Sequence, residues 1–335
     1  MTEYPEANRS GFAIMSALLG GALWLALLIS ILFGNRSLGV IELLLLLGVL
    51  VLIPLGFDLV GAPDAKGRNP AIYRLARFLQ PFASLLAVLS MLIPAGIWSG
   101  ALAGGWLLFT LCVPLFGLHR IITQRSFRVE ENCISAALLY LPVGGAWLVA
   151  FRAGLNVGGF GGTVALLTAV HFHYAGFVAP VLAGLAGRQL RRAAPRRWSL
   201  YRIAAIGIMA GPPLVALGIT FAAALEVAAA VVLAGSLTAL ATLVLGPIRR
   251  SLPDARARAA LTISALASVW AMLFALLYAL SSFAGHLLVP IPTMALIHGA
   301  ANALFALGGL TGWGIVRPAA YPYTTETNLS TTEEL

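Results

Sequence analysis

The residues with the most chemical potential are a run in the middle of the chain, His171-Phe172-His173-Tyr174. Near neutral pH an imidazole can carry or relay a proton, ligate a metal, or act as a general acid or base. A second group, His298-Gly299-Ala300-Ala301-Asn302, lies near the C-terminal end, and Glu42 and Asp58 are carboxylates in an early apolar stretch. All of these are embedded in long apolar sequence. An ionisable residue inside a bilayer costs about 2.5–3.5 kcal/mol on insertion scales, so each is a functional candidate.

Spacing narrows what these groups can share. Residues two apart on a helix point about 200° apart, so His171 and His173 address different neighbours. His171 and Tyr174 fall on one face, as do His298 and Asn302 at i,i+4.

The elements that must position them follow from composition. The 335 residues are 60% hydrophobic and 10% charged, with a mean hydropathy of +0.94. Soluble domains carry about 25% charged residues, so this chain cannot cover a water-facing surface. Lipid is the alternative solvent, and there the backbone must satisfy itself within helices. Ten segments approach the roughly 20 apolar residues that a span requires. They are Phe12–Phe33, Leu38–Val60, Leu79–Trp98, Ala101–Leu118 and Ile134–Phe151, then Thr163–Leu185, Ile203–Phe221, Val227–Leu245, Ala260–Phe283 and Thr293–Ile315. Glu226 is the expected turn between the seventh and eighth. The first segment is longer than a secretory h-region and reads as a retained span.

Charge placement tests this count. Lys66, Arg68, Arg74 and Arg77 follow the second span; Arg120, Arg125 and Arg128 follow the fourth. Arg188, Arg191, Arg192, Arg196, Arg197 and Arg202 follow the sixth; Arg249, Arg250, Arg256 and Arg258 follow the eighth. The opposite loops hold only Arg36 and Arg152. The positive-inside rule then predicts an all-α polytopic bundle of about ten spans with both termini cytoplasmic. The basic residues are thus spent on loops, and the net charge of +9 does not imply a nucleic-acid partner.

On this topology His171, His298 and Glu42 share the outer half of the membrane. One polar site built from spans two, six and ten is expected there, from His171, His173, Tyr174, His298, Asn302 and Glu42. A packing role for His173 stays open, because Gly158, Gly159, Gly161, Gly162 and Gly176 make span six a close-packing helix. So does a headgroup-wetted position for Glu42 and Glu226. Asp58 and His119 are expected at the cytoplasmic interface and His286 at the outer one.

Other features are plainer. Pro54, Pro94, Pro114, Pro142, Pro180, Pro212 and Pro213 are expected to kink their helices or break the ladder locally. Residues 69–78 read equally as an interfacial helix or as a short basic loop. Residues 1–317 form one transmembrane domain, and 318–335, rich in Thr, Pro and Glu, a disordered cytoplasmic tail. Its Asn328-Leu329-Ser330 sequon would not meet the glycosylation machinery there. Cys112 and Cys133 read as ordinary apolar residues.

The motif His171-Phe172-His173-Tyr174-Ala175-Gly176-Phe177, in a Gly-rich span, resembles a signature of the YndJ-like family of bacterial membrane proteins. His298-Gly299 followed by Asn302-Ala303 resembles that family's second signature. The resemblance implies a multi-pass protein of the bacterial cell (inner) membrane, in a family whose members are often called transporters. The string His171-Phe172-His173-Tyr174 is also similar to one in the catalytic subunit of haem-copper oxidases, where the two histidines ligate different haems. The other histidines are only His119, His286 and His298, with no adjacent pair and no His-x-x-x-Tyr element, so that full site cannot be assembled.

The expectation is a transporter or permease-like protein with a histidine-centred site for a small-molecule or lipid substrate. No P-loop is present, so coupling would be to an ion, and no cofactor or metal is required. The alternative is a membrane-embedded enzyme, or a haem- or metal-binding redox protein, acting on a lipid or isoprenoid. No catalytic residue is assigned. A structural or regulatory partner in a membrane complex is a third possibility.

Overall fold

The computed structural model describes residues 11–34, 38–61, 69–124, 127–286 and 288–318. Arg36, Lys66, Arg68, Arg125, the sequon and all of the expected tail except Pro318 lie outside the described residues. Within them the fold is a bundle of ten helices, each long and apolar enough to cross a membrane. These are α1 Gly11–Leu32, α2 Val40–Leu59, α3 Ala71–Leu92, α4 Ile97–Thr123 and α5 Val129–Ala153. The second half comprises α6 Gly162–Ala193, α7 Pro195–Phe221, α8 Ala223–Ser251, α9 Ala255–Phe283 and α10 Ile291–Val316.

The helices overrun their apolar segments mostly at the arginine-rich end. There α3 begins at Ala71 rather than Leu79, α6 continues to Ala193 rather than Leu185, and α9 starts at Ala255 rather than Ala260. Hydropathy reports where the hydrocarbon ends, whereas a helix continues as long as its carbonyls and side chains find partners. Residues 71–78 are thus the first turns of α3, not a separate interfacial helix or a loop. Two boundaries also move. Ile93 is extended and ends α3, so Trp98 belongs to α4. The break between α7 and α8 falls at the extended Ala222, and Glu226 sits in the first turn of α8. A carboxylate there complements the helix dipole, which accounts for its position better than a turn does.

Sequential helices pack as neighbours, and α2 and α6 lie deepest. Of their apolar windows, 78% and 67% are enclosed, against 17% for the peripheral α1. Large apolar residues such as Leu18, Leu19, Trp98 and Ile203 face outward, as lipid permits.

Both central helices carry a π-turn, Gly48–Leu52 in α2 and Phe172–Val178 in α6, each followed two residues later by a proline, Pro54 or Pro180. Proline has no N–H, so the preceding ladder loses a donor and its register loosens. In α2 the Val49 carbonyl is instead met by Ser84 Oγ at 3.1 Å and Gln80 Nε2 at 3.5 Å, both from α3. The two π-turns touch at the centre of the bundle. Such turns recur at functional sites. Pro114, Pro142, Pro212 and Pro213 lie inside stretches that remain α-helical.

Candidate functional site

The histidine run sits at the junction between the regular first part of α6 and its π-turn. His171 is nine residues into α6 and His298 seven into α10, roughly 13 and 10 Å from the helix starts at the end opposite the arginines. The two imidazoles lie within electrostatic reach of each other.

Their hydrogen bonding differs. His298 Nδ1 donates to the Ala271 carbonyl of α9 at 2.8 Å, which leaves Nε2 as the acceptor. Asn302, one turn on, is the donor, its Nδ2 lying 2.9 Å from His298 Nε2 and 2.9 Å from the His298 carbonyl. A carbonyl can only accept, so this pattern specifies the neutral Nδ1–H tautomer. Gly299 lets α10 lie directly on Leu44 of α2. His171 is the contrasting case: its Nε2 is shut away from solvent and has no hydrogen-bond partner.

His173 faces away from this pair. It is fully buried, its Nδ1 donating to the Ala169 carbonyl at 2.7 Å and its Nε2 accepting the Trp106 indole N–H at 2.9 Å. The two rings stack with centroids 5.8 Å apart. Gly144 of α5 completes the enclosure, since a Cβ there would lie 2.7 Å from His173 Nδ1. Both ring nitrogens of His173 are thus engaged. Tyr174 likewise ties elements together, its hydroxyl donating to the Leu44 carbonyl of α2 at 2.8 Å. From the other side Trp24 donates to the Leu43 carbonyl at 2.7 Å, so α1 and α6 grip consecutive carbonyls of α2.

Glu42 stands apart, at the mouth of α2. Its Oε2 accepts the Gly39 N–H at 3.1 Å as a helix cap. The sequence-predicted residues therefore divide three ways. His298 and Asn302 are bonded one turn apart with His171 in electrostatic reach, His173 and Tyr174 bond to neighbouring helices, and Glu42 caps α2.

No group of three or more His, Cys, Asp or Glu side chains positioned to hold a metal occurs among the described residues. Haem ligation by a histidine pair would need two free imidazole lone pairs. His173 gives its own to Trp106 and His298 gives its own to Asn302, so the arrangement does not fit that group.

Sequence reasoning missed a buried charge network at the arginine-rich end. Glu131 in the first turn of α5 accepts from Arg120 Nη2 at 2.8 Å and, bidentately, from Arg188 Nε and Nη2, both at 2.8 Å. Glu130 accepts from Arg191 Nε at 2.8 Å and Nη2 at 2.9 Å. Arg120 also donates to the Val60 carbonyl at 3.0 Å. Arg120 and Arg188, expected in loops, are instead buried within helices. The signal available was the adjacent pair Glu130-Glu131 in a chain with only 12 acidic residues. For Trp106 no sequence signal existed.

The family described as YndJ-like protein matches residues 43–306, which takes in the π-turned helices and both histidine motifs. A Bacillus subtilis (strain 168) protein named "Uncharacterized membrane protein YndJ" is 30% identical over 287 residues, 83% of this chain. The chain spans about half of that relative's length, 49%. No solved structure matches.

Proposed function

The chain belongs to the YndJ-like family, and on that premise we propose that it is a secondary transporter with a protonatable site where α2, α6 and α10 meet. The observation that carries this reading is the contrast among three histidines in one bundle. His173 and His298 have both ring nitrogens engaged, while His171 Nε2 is enclosed and unpartnered, within electrostatic reach of His298. A purely structural imidazole would be expected to find a partner, because a buried polar group without one is costly. A spare ring nitrogen can bind a proton or a solute donor. A proton on His171 would repel one on His298, so the pair favours single occupancy.

The surroundings support movement. Both central helices carry π-turns at the level where they touch, and their loosened ladders are where register can change. No nucleotide-binding loop is present in the sequence, so the driving force would be an ion gradient, with protons the natural choice for imidazoles. The substrate would be a small molecule or a lipid.

The test is reconstitution in liposomes under an imposed pH gradient, with uptake scanned over a broad solute panel and internal pH followed by a dye. Flux in the wild type that disappears in His171→Leu is the expected result. A wild-type protein that moves neither protons nor any solute would overturn the proposal. A Soret or metal-derived absorption band lost in His171→Leu would favour the redox reading instead.

A further inference from the structure

The long helix α6 is held very differently along its length. Its last part, Ala179–Ala193, is enclosed: every residue from Ala179 to Arg188 is buried. Charge then fastens it to α5. Arg188 bonds Glu131 through two nitrogens, both at 2.8 Å, and Arg191 bonds Glu130 through two more, at 2.8 and 2.9 Å. Tyr201 of α7 donates to the Ala183 carbonyl at 3.0 Å, and Gln189 donates to Ser251 of α8 at 3.0 Å. Stranding one member of a buried ion pair costs about 3–5 kcal/mol, so this part resists displacement. The start of the π-turn is fastened too, by the bonds from Trp106 to His173 and from Tyr174 to the Leu44 carbonyl.

The first part, Gly162–His171, is different. Its polar side chains bond within α6 or not at all: Thr168 Oγ1 donates to the Val164 carbonyl at 2.8 Å, and His171 Nε2 has no partner. Among the described residues no hydrogen bond or ion pair joins this segment to another helix. Of its ten residues only Ala165, Leu166 and Ala169 are buried, and two of these are alanines. Packing alone holds it.

The segment also hangs between two breaks in the helical ladder. Before it, Val157 and Phe160 exchange two backbone hydrogen bonds, both at 3.0 Å, around Gly158 and Gly159, whose φ values are 62° and 90°. A Cβ at Gly158, Gly159 or Gly162 would meet nothing within 4 Å, so these glycines serve the turn rather than the close helix packing expected of them. After the segment comes the π-turn Phe172–Val178, with Pro180 just beyond it withholding an N–H from the ladder.

We propose, building on the transport reading above, that Gly162–His171 is a gating arm, pivoting on the π-turn while the rest of α6 stays fixed, and so opening His171 Nε2 toward the end opposite the arginines. His171 is the last residue of the arm, so a small swing changes what faces its unpartnered nitrogen. His173, beyond the junction, keeps its Trp106 bond throughout. Its Nδ1 bond to the Ala169 carbonyl spans the junction and limits the swing. Segments with few tertiary ties are the ones that open at low free energy, and π-turns are recurrent places for such motion.

The experiment compares two single-cysteine insertions in the full chain, held in lipid nanodiscs and treated with a water-soluble maleimide. Ala165→Cys lies in the arm and Ala183→Cys in the fixed part, and both positions are fully buried. Wild type, with Cys112 and Cys133, sets the background. Ala165→Cys is expected to react about tenfold or more faster than Ala183→Cys. Equal, slow reaction at both positions would overturn the arm. Hydrogen–deuterium exchange of the unmodified protein covers the case in which a cysteine variant does not fold. Amides 169–178, around the pivot, should exchange faster than amides 181–190, and equal protection would overturn the pivot. Neither readout involves transport. A moving arm in a protein that carries no solute would sink only the transport reading, and a rigid arm in a protein with flux would sink only the arm.

Discussion

Trp106 on α4 donates its indole N–H to Nε2 of His173 on α6 across 2.9 Å, and the two rings stack in a fully buried layer of the bundle. Both nitrogens of one histidine in the central motif are thereby engaged. His171, two positions earlier, keeps an Nε2 with no hydrogen-bond partner.

Replacing Trp106 with Phe keeps the ring but removes the donor. His173 Nε2 then stays buried without a partner, and the expected loss is about 1–3 kcal/mol of stability. Thermal unfolding in detergent reads this directly, and an unchanged midpoint would show that the bond contributes little.

His171→Leu should behave in the opposite way. Its Nε2 makes no hydrogen bond to lose, so the unfolding temperature should hold or rise while pH-driven flux disappears. His173→Leu should lower stability whatever it does to flux. If both variants are equally destabilised, the division of roles between the histidines is mistaken.

Gly144→Ala places a methyl group 2.7 Å from His173 Nδ1 and 3.3 Å from the Ala169 carbonyl. The imidazole is pinned by two hydrogen bonds and cannot yield freely, so the clash should cost about 1–3 kcal/mol. Pairing the change with His173→Ala should relieve it, which a double-mutant cycle would detect.

Glu131→Gln leaves Arg120 and Arg188 buried around a neutral amide. Breaking a buried ion pair from one side costs about 3–5 kcal/mol, mainly through the stranded charge. Removing charge from both sides, with Glu131→Gln and Arg188→Met together, should recover part of that loss. Expression and unfolding midpoints of the two variants and the wild type supply the comparison.

At the surface, Asp254 caps α9, its Oδ1 accepting the Arg256 and Ala257 N–H groups at 2.7 and 3.0 Å. The Arg256 guanidinium and these backbone donors hold its carboxyl below the usual carboxylate range. A depressed folded-state value means that its stabilisation is full above the unfolded value and is lost as pH falls through the folded one. The unfolding temperatures of wild type and Asp254→Ala should therefore differ near neutrality and converge in acid.

Much of this molecule was legible because membrane folding makes strong local demands. Ten apolar runs and the one-sided arginines followed from the need to satisfy backbone in lipid and to keep charge out of it. The His298–Asn302 contact followed from helical spacing alone. Depth along a helix could likewise be read, and it set His171 and His298 at similar levels. Rotation could not. Whether His173 turned toward His298 or toward Trp106 depends on how α4, α5 and α6 pack, and no residue near Trp106 advertises that contact. Glu130 and Glu131 were obscured for a different reason. They lie just beyond the apolar runs, where hydropathy stops reporting but the helices continue.

What the sequence by itself determined is the class of molecule, the number of spans and the candidate residues. Those rest on periodicity and solvation, which act residue by residue along the chain. Only the tertiary structure decided which candidates are occupied and which is spare. The partners that decide it are distant in the chain: Trp106 for His173, Leu44 for Tyr174, Ala271 for His298, and nothing for Nε2 of His171. Hydrogen-bond saturation is a property of the packed bundle, because a donor 67 or 130 residues away becomes a neighbour only when the helices assemble.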